Sequence, residues 1–201
     1  MKKLLLLLGI PAVLFGLLVL MGIGTYNGLV SRAQAVDGAW AQVENVYQRR
    51  ADLVPNLVRT VSGAADFEKS TLTEVTNARA SVGSIQLPAG TAPNAAQLAA
   101  FESAQGALSS SLSRLLVTVE RYPTLTATAA FRDLQAQLEG TENRIAVERG
   151  KYNTIVQAYN TAIKRFPAVM VAGMFGHEPR AYFTADRGAN VAPTVDFSAK
   201  P

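Results

Sequence analysis

The densest group of ionisable side chains in this alanine-rich chain lies in the segment LEGTENRIAVER, residues 138–149. It combines three carboxylates with two guanidiniums, on Glu139, Glu142, Glu148, Arg144 and Arg149. Two carboxylates whose pKa values are pushed apart can act as general acid and general base. In a helical bundle, the same side chains can instead form ion pairs that align neighbouring helices. The first interpretation predicts an enzyme, and the second predicts a structural protein.

The spacing within this segment favours ion pairs. On one helix, Arg144 and Glu148 lie four residues apart, and Glu142 and Arg149 share a face because seven residues make about two turns. Carboxylate metal sites in bundles use Glu-x-x-His motifs, whereas the single histidine is His177, far from these acids in sequence. We therefore predict structural ion pairs and no catalytic, metal or cofactor-binding residue. Candidate partners on the other predicted helices are Arg49, Arg50, Asp52, Glu68, Arg79 and Glu120.

The composition of the chain excludes several classes of function. The 201 residues include no cysteine, which excludes disulfides and every metal site with a cysteine ligand. A single histidine excludes multi-histidine metal sites within the chain. The net charge of +4 includes Lys2 and Lys3, and no basic stripe of the kind that binds nucleic acid follows them. We expect no cofactor, no small-molecule substrate and no nucleic-acid partner.

Residues 1–25 form a predicted transmembrane anchor. The apolar run from Leu4 to Ile23 contains no charged residue, and a helix of this length spans ~30 Å, the thickness of a bilayer core. A cleavable signal peptide is the alternative, because AQA at residues 33–35 resembles a cleavage site. That site is too remote, and the apolar run is too long, for a typical signal peptide. The anchor residues are Leu4, Leu8, Val13, Phe15, Leu18, Leu20 and Ile23.

The charges on either side of this run predict its orientation. Lys2 and Lys3 precede it, whereas Arg32 after it is balanced by Asp37. Because positive charge stays on the cytoplasmic side of a membrane, we expect a cytoplasmic N-terminus and a single pass through the bacterial inner membrane. The rest of the chain is then predicted to lie on the extracytoplasmic side, which is the periplasm in a bacterium with two membranes.

The segment that follows has a sustained apolar repeat with alternating steps of four and three residues, from Leu29 to Val82. Such a 3.5-residue period is typical of helices that pack against other helices. The repeat continues through Pro55 without losing phase, although a proline inside a helix costs ~3 kcal/mol. We predict one long helix bent at Pro55, and the alternative is two helices broken near Asp52, with Asp52 as the N-cap.

Two further helices are predicted in the rest of the chain. Residues 83–94 contain two glycines and two prolines, which indicates a loop, and Asn94 with Gln97 forms a capping-box pattern at the start of the next helix. Pro123 is expected to bend or interrupt this helix, and a final helix ends at Pro167. The predicted fold is all-α: the anchor, an up-and-down bundle of three to four long helices over 26–167, and an irregular C-terminal tail over 168–201.

Apolar residues recur at the start of this tail, at Val169, Met170, Val171, Met174 and Phe175. We expect them to cover the end of the bundle, and the alternative is contact with the surface of the bilayer.

With these residues laid out, the chain resembles the LemA family of membrane-anchored bacterial helical proteins. The resemblance covers most of residues 26–183, and its motifs are YNGLV, RRADLVPNLV, ERYPTL, LEGTENRIAVER and YNTAIKRFP. It implies an N-terminal membrane helix and a four-helix bundle, and it favours a chain break near Pro55. It implies no established enzymatic activity and no catalytic residues. His177 departs from the family pattern, which has an aromatic residue after the sequence FG.

We therefore expect a non-enzymatic scaffold, anchored in the membrane, that associates with copies of itself or with a membrane-protein partner. One alternative is an envelope enzyme that uses Glu139, Glu142 and Glu148. Another is an accessory subunit of an envelope protease, which would require only an exposed helix face.

Overall fold

The structure is a computed structural model that describes residues 2–63 and 67–184, with side chains from residue 9 onward. All regular elements in these ranges are helices, which confirms the predicted all-α class. They are α1 (Lys2–Ser62), α2 (Lys69–Gly83), α3 (Ala95–Val119), α4 (Pro123–Thr126), α5 (Ala129–Lys164) and α6 (Ala168–Met174).

Helix α1 contains both the predicted anchor and the first helix of the bundle. Its 61 residues are continuous through Pro11 and Pro55, which gives a length of ~90 Å. Among the described residues it is the one helix long and apolar enough to cross a membrane. The predicted anchor residues Val13, Phe15, Leu18, Leu20 and Ile23 are all exposed outside the bundle. Leu4 and Leu8 belong to α1, but their side chains lie outside the described part of the chain.

The break between the first two bundle helices lies at a different position from both predictions. Helix α1 passes through Pro55 and ends at Ser62, so a break near Asp52, and the break near Pro55 that the family resemblance implies, are both wrong. The prediction of one helix from Leu29 to Val82 is also wrong, because α2 returns antiparallel to α1. Gly63 follows the end of α1, and the apolar repeat beyond it contains Glu68, which cannot contribute to an apolar seam.

The start of α3 follows the predicted capping box. The Asn94 side chain accepts a hydrogen bond from the Gln97 backbone N–H at 2.9 Å, and the Asn94 N–H donates to Gln97 Oε1 at 3.0 Å. Helix α3 runs parallel to α1, whereas α5 runs antiparallel to both. Contacts at two levels of α1 show these directions. The ring of Trp40 contacts Phe101 of α3 and Tyr152 of α5, with centroids 5.4 and 5.8 Å apart, whereas Arg50, further along α1, contacts Ser109 of α3 and Glu142 of α5.

Pro123 follows an interruption between two helices, which is one of the two outcomes predicted for it. Helix α3 ends at Val119, and Pro123 is the first residue of the four-residue helix α4. The residue before a proline avoids the helical region, and Tyr122 accordingly has φ −120° and ψ 76°. A proline is tolerated at the first helical position because its missing N–H would have no partner there in any case.

The interior of the bundle consists of two apolar clusters along its length. The proximal cluster, next to the exposed apolar part of α1, is rich in aromatic residues, and the distal cluster is mostly aliphatic. Members of the first are Leu29, Trp40, Tyr47, Phe101, Tyr152, Tyr159 and Phe183. Members of the second are Val54, Leu57, Val61, Leu108, Leu112, Leu115, Phe131 and Leu138.

The described part of the predicted irregular tail contains a helix, α6, and then an extended segment, residues 177–184, which we term the strap. Gly176 lies between them with φ 70°, a left-handed conformation that favours glycine. Four of the five apolar residues expected to cover the bundle do not do so: Val169, Met170, Met174 and Phe175 are exposed. Val171 packs against the proximal cluster. Residues 185–201 of the predicted tail lie outside the described residues.

Candidate functional site

The guanidinium of Arg50 lies inside the bundle, at the level where the two apolar clusters meet. Its side chain is 2% exposed. Nη1 donates to Ser109 Oγ at 2.7 Å and to Glu142 Oε1 at 2.5 Å. Nη2 donates to the Gln105 side-chain carbonyl and to the Gln105 backbone carbonyl, the latter at 3.3 Å. One cation from α1 thus joins α3 and α5 in a single polar layer.

This layer forms because the apolar repeat has polar interruptions at the same height on facing helices. Arg50 occupies a seam position of α1 between Tyr47 and Val54, and Gln105 occupies a seam position of α3 between Phe101 and Leu108. A buried charge is tolerated only where it is paired and hydrogen-bonded. If either helix slipped by one turn, the guanidinium would enter an apolar cluster. The layer therefore fixes the axial register of the bundle.

The ring of Tyr47 packs against the same guanidinium, with Arg50 Cζ 5.1 Å from the ring centroid. Burial raises the pKa of Tyr47, and the positive charges of Arg149 and Arg50 act in the opposite direction. The hydroxyl consequently stays protonated at neutral pH, and the aromatic face supports the cation.

Arg149, which the sequence analysis assigned to the same group, forms a second and separate connection. Its Nη2 donates to Glu102 Oε1 and to the Thr184 carbonyl, each at 3.0 Å. Its guanidinium lies over the ring of Phe183, 4.8 Å from the centroid. Arg149 therefore joins α3 to the strap, and its charge partner, Glu102, was not among the predicted residues.

Several other predicted residues have local partners on the surface. Glu139 accepts from Gln135, Glu148 pairs with Lys151 at 2.7 Å, and Asp52 accepts from Gln48, each within one helix. Glu68 pairs with Arg121 at 3.3 Å, with both side chains exposed. Ion pairs of this exposed kind contribute ~1 kcal/mol or less.

The remaining predicted residues form no ion pair within the described ranges. Arg79 donates instead to a backbone carbonyl, that of Ala51, at 2.9 Å. Arg49, Glu120 and Arg144 are exposed, and no side-chain hydrogen bond is seen for them in those ranges. The eleven predicted residues therefore do not form a single site.

Two shallow grooves contain the carboxylates that a catalytic interpretation would need. Glu142, whose side chain is 47% exposed, lines a groove of about 340 Å³ together with Glu102. It also lines a groove of about 280 Å³ together with Glu139, whereas Glu148 lines neither. Two acids can divide acid and base roles only if their environments differ, and Glu142 and Glu102 each already bind an arginine. Within the described residues, no three acids or histidines lie close enough together to bind a metal ion.

Two asparagines on α5 hold the strap by its backbone. The side chain of Asn160 accepts from the Arg180 N–H at 2.8 Å and donates to the Arg180 carbonyl at 2.9 Å. Asn153 does the same for Phe183, at 2.9 and 3.0 Å. A side-chain amide can pair with both polar groups of one residue, as a neighbouring strand would.

The spacing of these asparagines matches the spacing of the residues that they bind. Asn153 and Asn160 lie seven residues apart, or ~10.5 Å along a helix. Arg180 and Phe183 lie three residues apart in an extended segment, or ~10 Å. The strap therefore runs antiparallel to α5 with a fixed register, and Phe183 closes the proximal cluster against Trp40, with ring centroids 6.0 Å apart.

Two tyrosines next to these asparagines also contact the strap. Tyr152 donates its hydroxyl to the Ala181 carbonyl at 3.2 Å, and Tyr159 Oη lies 3.3 Å from His177 Nδ1. Burial raises the pKa of Tyr152 to about 12, and it also raises the pKa of Tyr159. His177 is thus half-buried against α5.

These networks also contain four residues that were not predicted from the sequence: Gln105, Ser109, Asn153 and Asn160. The sequence held a signal for three of them, Gln105, Asn153 and Asn160. Gln105 is a polar residue in an apolar seam, and the pair Tyr-Asn occurs twice at a separation of seven residues, as YNTIVQAYN over residues 152–160. A regular spacing of polar residues along one helix face predicts an extended partner only when that partner is known to be nearby.

Comparison with known proteins adds a family and a set of relatives. Residues 39–197 match the LemA family. The chain is 26% identical over 174 residues to "Magnetosome protein MamQ 2" of Paramagnetospirillum magneticum, which covers 79% of this chain and 64% of that relative. It is 27% identical over 176 residues to "Magnetosome protein MamQ" of Magnetospirillum gryphiswaldense, with the same coverage. The chain thus spans less than two thirds of the length of these curated relatives.

Proposed function

Because the chain belongs to the LemA family, we propose that it is a non-enzymatic, single-pass membrane-anchored scaffold of the bacterial envelope. The observation that carries this proposal is the continuity of α1. Its first part exposes apolar residues along its length, and its second part is a central helix of the bundle. Because α1 is continuous, the position of the membrane segment determines the position of the bundle.

The charge pattern of the chain supports an orientation for this anchor. Lys2 and Lys3 precede the apolar run, so the N-terminus stays in the cytoplasm and the bundle lies on the extracytoplasmic side of the inner membrane. In a bacterium with two membranes this side is the periplasm.

The arrangement of the ionisable residues supports a structural role over an enzymatic one. Arg50, Glu142 and Arg149 bind residues on other helices or on the strap, and their hydrogen bonds are those that hold the bundle in register. Two relatives are named as magnetosome proteins, which supports a membrane-associated role for this chain. We propose that it acts through self-association or through a membrane-protein partner.

Cross-linking in intact membranes tests the scaffold proposal. Because the chain has no cysteine, single cysteines can be placed at Val117 and Val147, which are exposed on α3 and α5. We expect a bifunctional maleimide to capture a second copy or a membrane protein from at least one position. Recovery of monomer alone from both positions would contradict the proposal.

The same variants test the orientation. A maleimide reagent that cannot cross membranes is expected to label Val147→Cys in intact spheroplasts as fully as in lysed ones. Labelling that requires lysis would place the bundle in the cytoplasm.

A further inference from the structure

An apolar patch lies exposed at the end of the bundle from which the apolar part of α1 emerges. We term it the α6 face, and it comprises Phe166, Met170, Met174 and Phe175. Their exposed fractions are 78%, 62%, 79% and 59%. Exposure of four large apolar side chains within residues 166–175 is unfavourable in water, because burying each of them would remove apolar surface from the solvent.

The position of this patch indicates what covers it. The ring of Phe175 contacts the ring of Tyr26, with centroids 4.7 Å apart. Tyr26 lies three residues beyond Ile23, the last residue of the exposed apolar run of α1. The α6 face is therefore continuous with the apolar surface of α1 that enters the bilayer. Lipid that surrounds this part of α1 would also be in contact with the α6 face.

Basic side chains border the patch. Lys164 and Arg165 end α5 immediately before Phe166. Arg32 and Arg165 line a groove of about 620 Å³ between α1 and α5, which Ala168 of α6 also borders. None of these three cations forms an ion pair within residues 2–63 and 67–184. Cations at this depth are placed to meet the phosphates of lipid headgroups.

We propose that the α6 face lies in the headgroup and acyl-chain boundary of an anionic bilayer, with Arg32, Lys164 and Arg165 on the lipid phosphates. The inference rests on the proposed membrane anchor and adds a second, interfacial attachment. An interfacial helix with apolar residues on one side and basic residues at its border binds by this combination of burial and charge. The second attachment restrains the tilt of the bundle on the membrane surface, which α1 alone does not do.

The test uses the full chain in proteoliposomes that contain phosphatidylglycerol. A polarity-sensitive dye is attached to Met170→Cys, to Val13→Cys as the anchor control, and to Val147→Cys as an exposed control on the bundle. Quenching is measured with nitroxide groups at shallow and deep positions of the lipid. Trp40 fluorescence of each labelled variant checks that the bundle is folded.

We expect the Met170 dye to be quenched by shallow nitroxides more than by deep ones, the Val13 dye by deep ones, and the Val147 dye by neither. A Met170 dye that responds like the Val147 dye, while the Val13 dye is quenched, would overturn the interfacial attachment and leave the anchor intact. An unquenched Val13 dye would overturn the proposed anchor itself. A Met170 dye shielded from water but not quenched by lipid would indicate a protein partner, and this result would also overturn the inference.

The charge part of the proposal has its own test. Combined substitution Lys164→Gln and Arg165→Gln is expected to reduce shallow quenching of the Met170 dye, and replacing phosphatidylglycerol by phosphatidylcholine is expected to have the same effect. The matched control is Lys151→Gln, an exposed cation of α5 within the bundle, which should leave the quenching unchanged. If neither the double substitution nor the change of lipid lowers the quenching below that of the Lys151→Gln control, the proposed role of the basic residues would be overturned.

Discussion

Arg79 of α2 donates a hydrogen bond from Nε to the backbone carbonyl of Ala51 in α1, at 2.9 Å. This carbonyl lies four residues before Pro55 and would bind the Pro55 N–H in a regular helix. Because proline has no N–H, the carbonyl needs another donor, and a guanidinium from the neighbouring helix provides it. The contact allows α1 to continue through Pro55 and joins α1 to α2 at the same time.

This contact predicts a specific energetic coupling between Arg79 and Pro55. Arg79→Met removes the guanidinium donor of the Ala51 carbonyl, and we expect a loss of ~1–3 kcal/mol in the free energy of unfolding. In a Pro55→Ala background the new N–H can bind the carbonyl, so the same substitution should cost clearly less. Urea unfolding, followed by the fluorescence of the single tryptophan Trp40, measures both values.

The matched control for this cycle is Arg59→Met. Arg59 is exposed and bonds only to Asn56 of its own helix, so its removal should change stability by less than ~0.5 kcal/mol. An equal cost of Arg79→Met with and without Pro55 would show that the proline and the arginine act independently.

Substitution of Glu142 distinguishes a structural role of this carboxylate from a catalytic one. Glu142→Gln leaves the buried guanidinium of Arg50 without its anion, and we expect a stability loss of ~1–2 kcal/mol. Glu139→Gln, on the same helix, removes only a contact with Gln135 and should be nearly neutral. Unchanged stability of the Glu142 variant, together with loss of any measurable activity, would support the enzymatic alternative.

The asparagines of α5 predict how strongly the strap resists proteolysis. Both polar groups of the Arg180 backbone are bound by Asn160, so these backbone groups are not free to bind a protease at the bond that follows Arg180. We expect Asn160→Ala to accelerate tryptic cleavage after Arg180. The control Asn143→Ala alters an exposed asparagine of the same helix and should leave the rate unchanged. Equal cleavage rates in the native chain and the Asn160 variant would mean that the strap is not held there.

The buried tyrosines predict a loss of stability at alkaline pH. The pKa of Tyr152 is raised to about 12 in the folded chain, above its value of ~10 in an unfolded chain. A raised pKa contributes stability that is fully present below pH ~10 and is lost as the pH rises toward 12. Tyr152→Phe should therefore flatten the fall in unfolding free energy between pH 10 and 12. The exposed Tyr182→Phe serves as control, and an equal fall in both variants would contradict the assignment.

Much of this fold follows from the sequence because apolar periodicity and local caps act over short distances. The seam through Val36, Trp40 and Val43 and the capping box at Asn94 are examples. The position of the turn between α1 and α2 could not be predicted from the sequence. The apolar repeat keeps its phase beyond Gly63, and the hydrogen-bond donor that replaces the missing N–H of Pro55 comes from Arg79, 24 residues later in the chain. Such a tertiary hydrogen bond leaves no periodic signal.

The candidate site was predictable only in part for a similar reason. Charge and spacing brought Glu142 and Arg50 into one group, and the structure shows them in contact. The two partners of Arg149 could not be predicted. Glu102 lies on α3 and Phe183 on the strap, and nothing in the local sequence fixes the position of these segments along α5. The exposure of Met170 and Met174 was also unpredictable from hydrophobicity alone, which does not distinguish a core residue from one that faces lipid.

The central claim is that one unbroken helix carries the bundle out of the bilayer. Spin labels on Leu20→Cys and Asn45→Cys, both exposed on α1, measure it in the full chain reconstituted in lipid nanodiscs. These positions lie 25 residues apart on nearly the same face, across Gly22, Gly24, Gly28 and Gly38. A continuous helix predicts a narrow distance distribution centred near 38 Å, at ~1.5 Å per residue. A broad distribution, or one centred well below that distance, would show a joint between anchor and bundle and would contradict the account.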